Sequence, residues 1–217
     1  MKISQFVVNP FCENMFILWT RDGGEAIVID PGMLNAGERE ALDQFLTKHS
    51  LALQRVILTH QHLDHIFSAK YLAERYSVPV GASPEDNPLG LSLPEQSLRF
   101  GVRQATEPMA ITEELHGGDT LTLGGEEIKV IEVPGHSPGG LSFYLPSMKC
   151  VFVGDTLFQR SIGRTDLLGG DFDQLIASIR SALFVLPDET VVYPGHGEAT
   201  TIGEERRLNP YLAQYCR

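Results

Sequence analysis

The sequence predicts an α/β fold, an αββα four-layer sandwich in which two mixed β-sheets are stacked between outer layers of helices. Two observations predict this class. The chain divides into two similar halves, and each half is rich in short apolar strands followed by a helix. Its 217 residues, 42% of them hydrophobic, can also bury a substantial core, so we expect a single domain over residues 1–217.

The individual elements follow from the spacing of apolar residues and from turn residues between them. In the first half, strands are predicted at residues 2–8, 14–20, 25–30 and 54–59, with a hairpin turn at 21–24. In the second half, they are predicted at residues 121–123, 127–133, 141–145, 150–153 and 191–194. Helical spacing predicts helices over residues 38–48, 66–76 and 172–185.

Residues 84–108 contain four prolines and show little periodicity, so they are predicted to lack regular structure. Two interpretations stay open for this segment. It is either an irregular surface loop or a flap over a site, because long loops in compact domains are often lids.

Residues 59–65, Thr-His-Gln-His-Leu-Asp-His, place four potential metal ligands directly after the apolar run 56–58. On an extended backbone residues i and i+2 point the same way, so His60 and His62 can bind one metal together. Asp64 is predicted to be the N-cap of the helix at 66–76, with His65 in its first turn. Because this turn directs the second pair away from the first, the segment suits two adjacent metals better than one. The alternative is a histidine-rich surface loop, which this recurring ligand geometry disfavours.

Three later strands end in the same way, with a glycine followed at once by a polar side chain. Residues 130–136 end in Gly-His, residues 150–155 in Gly-Asp and residues 191–196 in Gly-His. The added candidate ligands are therefore His136, Asp155 and His196. Ligands at the carboxyl ends of several strands can converge at one edge of a sheet, where α/β folds commonly hold their sites.

Composition excludes several classes of partner. The net charge of −11 argues against nucleic acid, because a phosphate backbone is bound by clustered Lys and Arg. The amino terminus lacks a signal-peptide pattern, and no apolar run approaches the ~20 residues that span a membrane. We therefore expect a cytoplasmic protein without a membrane partner, and its oligomeric state stays open. Cys12, Cys150 and Cys216 are odd in number and widely spaced, so no disulfide is expected.

On these residues the chain resembles the metallo-β-lactamase superfamily, whose His-x-His-x-Asp-His signature matches residues 60–65. It is most similar to the hydroxyacylglutathione hydrolase (glyoxalase II) branch, in a short form without the additional C-terminal helical domain. The closer match lies in residues 29–32 (Ile-Asp-Pro-Gly), 135–139 (Gly-His-Ser-Pro-Gly), 154–158 (Gly-Asp-Thr-Leu-Phe) and 195–197 (Gly-His-Gly). The resemblance implies that one metal binds His60, His62 and His136, that the other binds Asp64, His65 and His196, and that Asp155 bridges the two.

The resemblance also implies the chemistry. Two divalent metal ions, zinc first and iron or manganese as alternatives, would share a water and supply hydroxide at neutral pH. This hydroxide would attack the carbonyl of a small-molecule thioester, S-D-lactoylglutathione, and release glutathione and D-lactate. Asp64 and Asp155 are thus the candidate catalytic residues. For Asp30, orientation of a ligand histidine and capping of the turn at 31–32 both remain open.

The chain departs from the long hydrolases where those enzymes bind glutathione. Arg164 occupies the place of the basic residue that binds a glutathione carboxylate, so we expect it to bind substrate. Asp166 and Glu198, however, replace two substrate tyrosines, and only a short segment follows His196. We therefore expect weak action on glutathione thioesters and broad tolerance of the thiol carrier.

The main alternative function is oxidation of glutathione persulfide by a single iron. Its ligands would be His60, His136 and Asp155, while Asp64, His65 and His196 would surround them without binding the metal. Residues 163–166, Gly-Arg-Thr-Asp, resemble those dioxygenases as much as they resemble the hydrolases. Only the dioxygenase needs O₂, which separates the two reactions experimentally.

Overall fold

The structure, a computed structural model, describes residues 1–103 and 106–212. Within them the chain forms two six-stranded sheets and a small two-stranded one. Cys216 lies outside the described residues.

The first sheet is built from residues 2–114. Its strands are β1 (Lys2–Val8), β2 (Glu13–Trp19), β3 (Glu25–Ile29), β4 (Ala52–Ile57), β5 (Val80–Ala82) and β6 (Glu113–Glu114), in that order. Strands β1 to β3 pair antiparallel, whereas β3 to β6 pair parallel. The parallel part matters for function because it brings the carboxyl end of β4 to the edge of the sheet.

The second sheet has the order β14–β13–β10–β9–β8–β7. Its strands are β7 (Thr120–Leu123), β8 (Glu126–Glu132), β9 (Leu141–Leu145), β10 (Cys150–Gly154), β13 (Val191–Pro194) and β14 (Thr200–Thr201); β11 (Leu157–Phe158) and β12 (Ser161–Ile162) form the small sheet. Only β10 and β13 pair parallel in this second sheet. Both large sheets are therefore mixed, as predicted.

Helices connect the strands. They are α1 (Ala36–Lys48), α2 (Leu63–Ile66), α3 (Ala69–Tyr76), α4 (Asn87–Leu91), α5 (Leu93–Arg99), α6 (Phe172–Ser178) and α7 (Ile202–Leu208). Short 3₁₀ turns cover Pro84–Asp86 and Pro146–Met148, and a π-helical turn, Ile179–Leu183, continues α6.

Three apolar clusters confirm the four layers. The inner faces of the two sheets pack against each other through residues such as Phe16, Ile29 and Phe143. The outer face of the first sheet packs on a second cluster that includes Leu42 of α1. The outer face of the second sheet packs against Leu175 of α6, in a third cluster. The αββα prediction is therefore confirmed.

Two local predictions are wrong. Asp64 is not an N-cap; it lies inside α2, which is preceded by His62, and the next helix begins after Ser68. Residues 84–99 are mostly helical, because their prolines occupy the first or second positions of helical turns. Proline is tolerated there, since the first N–H groups of a helix have no intrahelical partner. Within the described residues, no helix combines the length and apolar composition needed to cross a membrane.

Candidate metal centre

The candidate ligands come from four strand ends that meet at one edge of the sandwich. His60 and His62 follow β4 of the first sheet, whereas His136, Asp155 and His196 follow β8, β10 and β13 of the second. The glycines between strand and ligand are needed for space. A Cβ atom on Gly195 would collide with the Asp155 carboxylate and the His65 ring. The structure therefore brings all seven predicted ligands together.

The first cluster consists of three imidazoles. His62 Nδ1 lies 2.9 Å from His136 Nε2, which lies 3.2 Å from His60 Nε2. Two nitrogen ligands of one tetrahedral zinc ion, each about 2.0–2.1 Å from it, lie about 3.4 Å apart. The spacing of these three nitrogens therefore fits a shared cation.

The second cluster contains Asp64, His65 and His196. His196 Nε2 lies 3.2 Å from Asp64 Oδ2, and His65 Nε2 lies 4.0 Å from the same oxygen. Asp155 stands between the clusters, with Oδ1 3.5 Å from His65 Nε2 and Oδ2 3.7 Å from His136 Nε2. This geometry matches the partition that the sequence resemblance implies, although the roles of the individual ligands stay predictions.

Four of the five imidazoles are held from behind through Nδ1. His136 Nδ1 donates to the Arg164 carbonyl at 2.8 Å, and His196 Nδ1 donates to the Phe11 carbonyl at 3.1 Å. His65 Nδ1 lies 3.0 Å from Asp30 Oδ2, and His60 Nδ1 lies 3.0 Å from Thr59 Oγ1. Such contacts fix ring orientation and leave Nε2 free to bind a metal.

Of the two roles open for Asp30, the structure supports the orientation of a histidine. Its buried carboxylate accepts from Thr59 N at 2.7 Å and from Thr59 Oγ1 at 2.6 Å, in addition to its contact with His65. Asp30 adopts a left-handed backbone conformation with φ 51°, which is uncommon for a residue other than glycine. The three hydrogen bonds of its side chain stabilise Asp30 in this backbone conformation.

Burial and charge make the two clusters electrostatically different. In the first, burial and neighbouring imidazoles lower the pKa of His60 well below its usual value and that of His62 to about 3. In the second, burial acts to lower the pKa of His65, but the carboxylates of Asp155, Asp64 and Asp30 outweigh it and raise that pKa well above 6.5. The first cluster thus offers neutral nitrogens, whereas the carboxylate of Asp64 in the second cluster, together with Asp155 between the clusters, favours positive charge.

Asp86 is a positioning residue that the sequence did not reveal, since it lies in the segment predicted to be irregular. Its buried carboxylate accepts from Gln61 N at 3.1 Å, Ser137 Oγ at 2.8 Å and Gly139 N at 2.6 Å. These bonds tie the loop that carries His60 and His62 to the loop that carries His136.

Arg164 lies on the wall of a cavity of about 190 Å³ that also contains His62, Asp155 and His196. Its guanidinium is exposed and binds Asp166 through two hydrogen bonds of 2.7 Å. Arg164, the predicted substrate-binding residue, thus lies beside the centre. Its guanidinium, however, is already paired with the Asp166 carboxylate.

Residues 9–196 match the family described as the metallo-beta-lactamase superfamily. The chain belongs to this superfamily. It is 39% identical over 213 residues to the Haemophilus influenzae protein named hydroxyacylglutathione hydrolase GloC, and the match covers 98% of each chain. Membership and this similarity support a metal-dependent hydrolase.

Solved structures agree with this placement. A B3 metallo-beta-lactamase named BLEG-1 superposes with a TM-score of 0.88 at 37% identity, covering 97% of this chain and 99% of that one. TTHA1623, solved in a di-iron-bound form, gives 0.85 at 36% identity and covers 96% and 100%. ETHE1 from Myxococcus xanthus gives 0.80 at 31% identity and covers 99% and 85%. The fold is shared closely, and the di-iron form supports divalent metals.

Proposed function

We propose that this protein is a hydroxyacylglutathione hydrolase, which cleaves S-D-lactoylglutathione to glutathione and D-lactate. The observation that carries the proposal is the pair of clusters joined by Asp155, in a chain 39% identical to GloC. A single-metal site would not require Asp64, His65 and His196 to form a second group whose ligand atoms all lie within 4.8 Å of one another.

The donor set fits two divalent ions, because imidazole nitrogens and carboxylate oxygens suit zinc, iron and manganese. Such ions, when bound, lower the pKa of a shared water and polarise a carbonyl oxygen. His60, His62 and His136 would hold one ion, Asp64, His65 and His196 the other, and Asp155 both. The carboxylates of Asp64 and Asp155 would offset only part of the charge of two divalent ions, so a loaded centre would remain positive and attract the thioester oxygen.

A second candidate is the oxidation of glutathione persulfide by one iron. His60, His136 and Asp155 are close enough for the required triad, with His136 Nε2 3.2 Å from His60 Nε2 and 3.7 Å from Asp155 Oδ2. However, His62 Nδ1 lies even nearer to His136 Nε2, at 2.9 Å. This fourth donor beside the triad favours the hydrolase.

We expect protein produced in zinc- and iron-supplemented media to contain about two metal ions per chain and to hydrolyse S-D-lactoylglutathione equally well with and without O₂. The thioester absorbance reports the first reaction, and O₂ consumption with glutathione persulfide reports the second. One iron per chain with O₂-dependent persulfide loss, and no thioester cleavage, would establish the second candidate instead.

Arg164→Ala is expected to raise KM for S-D-lactoylglutathione by about fivefold, the scale of an exposed charge pair, with unchanged metal content. Asp166→Asn should act in the opposite direction and lower KM, because it releases the Arg164 guanidinium for a substrate carboxylate. Steady-state kinetics and metal analysis measure both effects. The matched control is Arg75→Ala, which removes a comparable pair with Asp43 away from the centre. An unchanged KM in both Arg164→Ala and Asp166→Asn would mean that the carboxylate of the thiol carrier does not bind Arg164.

A further inference from the structure

A second cavity opens directly beside the metal centre. It has a volume of about 240 Å³ and lies between α5 and the segment 167–168. Three residues, His62, Phe100 and Leu167, line both this cavity and the one that contains the candidate ligands. The two cavities therefore adjoin, and a molecule whose reacting atom lies at the centre has the second cavity beside it.

The wall of this second cavity is mainly apolar. Leu89, Phe100, Leu167 and Leu168 supply hydrocarbon surface. Leu168 is 75% exposed and Phe100 is 37% exposed, so this surface faces solvent unless something covers it. Large exposed side chains that line a concave site are typical of ligand-binding surfaces.

Two neutral polar side chains in the wall, Ser92 and Gln96, are already engaged with the protein. The Ser92 hydroxyl donates to the Leu89 carbonyl at 3.0 Å. The Gln96 amide donates to the same carbonyl at 2.7 Å and accepts from Leu63 N at 3.2 Å. Glu95 and Arg99 are exposed. The cavity thus combines an apolar wall, whose neutral polar side chains are engaged, with one acidic and one basic side chain that are exposed.

We propose that this cavity binds an apolar acyl group, so that the protein prefers thioesters of medium-length fatty or aryl acids to the lactoyl ester. The inference rests on the proposed function, because it assigns the acyl side of the same thioester. The carrier arm of glutathione bears charged groups, and burying them against the leucines of this wall is costly. An acyl chain has no such cost, whereas the Arg164 side of the centre remains available to the carrier.

The size of the cavity sets the length of the acyl chain. A water molecule occupies about 30 Å³ in the liquid, and a methylene group is of similar size. A cavity of about 240 Å³ therefore accepts a chain of about six carbons with space to spare. Each methylene group that leaves water should raise kcat/KM about threefold to fourfold until the cavity is filled.

The test compares acetyl, butyryl, hexanoyl and lactoyl thioesters of glutathione on the metal-loaded protein. We expect kcat/KM to rise with chain length and to exceed the lactoyl value by more than tenfold for hexanoyl. In Leu168→Asp, kcat/KM should rise less than twofold for each added methylene group. Leu98→Asp is the matched control, since Leu98 is 81% exposed on α5, which borders the cavity, but does not itself line the cavity. Its chain-length profile should remain that of the unmodified protein.

Calorimetric binding of S-methylglutathione and S-hexylglutathione separates failure of this inference from failure of the proposed function. These thioethers carry an alkyl group where the thioester carries its acyl group, and they cannot be hydrolysed. Tighter binding of the hexyl compound that Leu168→Asp removes supports the cavity assignment, even if no thioester is cleaved. Cleavage of all four thioesters at equal kcat/KM, with equal affinity for the two thioethers, would overturn the assignment and leave the hydrolase intact.

Discussion

Asp155→Ala is expected to lower kcat for S-D-lactoylglutathione by more than about 100-fold and to reduce bound metal below two ions per chain. Loss of a residue that merely supports a metal ligand typically costs 10–100-fold, and Asp155 stands between both clusters. Its Oδ1 faces His65 and its Oδ2 faces His136 and His196. The imidazoles also hold the pKa of Asp155 below its usual value against the effect of burial, so the side chain is a carboxylate.

The interpretation depends on a variant that keeps the shape of the side chain. Asp155→Asn retains one oxygen and the volume, and we expect it to keep more metal than the alanine variant but little activity. Asp173→Ala, an exposed carboxylate in the first turn of α6, serves as the control for loss of charge alone. Metal analysis and circular dichroism accompany the kinetics. If Asp155→Ala retained two metal ions per chain and near-normal turnover, Asp155 would not be a metal ligand.

Asp30→Asn is expected to weaken metal binding by about 10–100-fold, although Asp30 is not among the seven predicted ligands. The carboxylate accepts hydrogen bonds from Thr59 and contacts His65 Nδ1. An amide presents an N–H group to one of these partners, so either the Thr59 hydroxyl or the His65 ring must turn. Competition with a metal-binding dye measures the affinity.

The chain contains a matched pair for this experiment. Asp22 Oδ1 lies 2.9 Å from His49 Nδ1, in the same kind of contact, but the Asp22 side chain is 72% exposed. Asp22→Asn should therefore leave metal affinity and activity unchanged. Equal affinities for Asp30→Asn and Asp22→Asn would mean that the His65 ring is fixed by packing and not by its hydrogen bond.

The sequence predicted the layers and the ligand set because both depend on short patterns. A β-branched run that ends in glycine and histidine can be recognised locally, as at His136 and His196. The N-cap role predicted for Asp64 is wrong because aspartate is common both at helix N-caps and in metal centres. Here the Asp64 carboxylate lies 3.2 Å from His196 Nε2. Helices α4 and α5 were missed because proline both ends helices and begins them.

Other features depend on contacts between distant parts of the chain. Asp86 reaches Gly139, and the cavity beside the centre joins α5 to the segment 167–168. No local pattern encodes such pairings, since they follow from how the two sheets stack. The same holds for Asp166, whose pairing with Arg164 appears only when the loop geometry is known.

The position of the ligands on both sheets links metal binding to folding. His60, His62, Asp64 and His65 belong to the half that forms the first sheet, whereas His136, Asp155 and His196 belong to the other. Neither half can complete either predicted cluster alone, so bound ions would cross-link the two halves. A ligand that binds only the folded state stabilises it by about 2.7 kcal/mol at 100 times its dissociation constant. Cellular metal supply would therefore set not only the turnover of this protein but also how long each copy survives proteolysis.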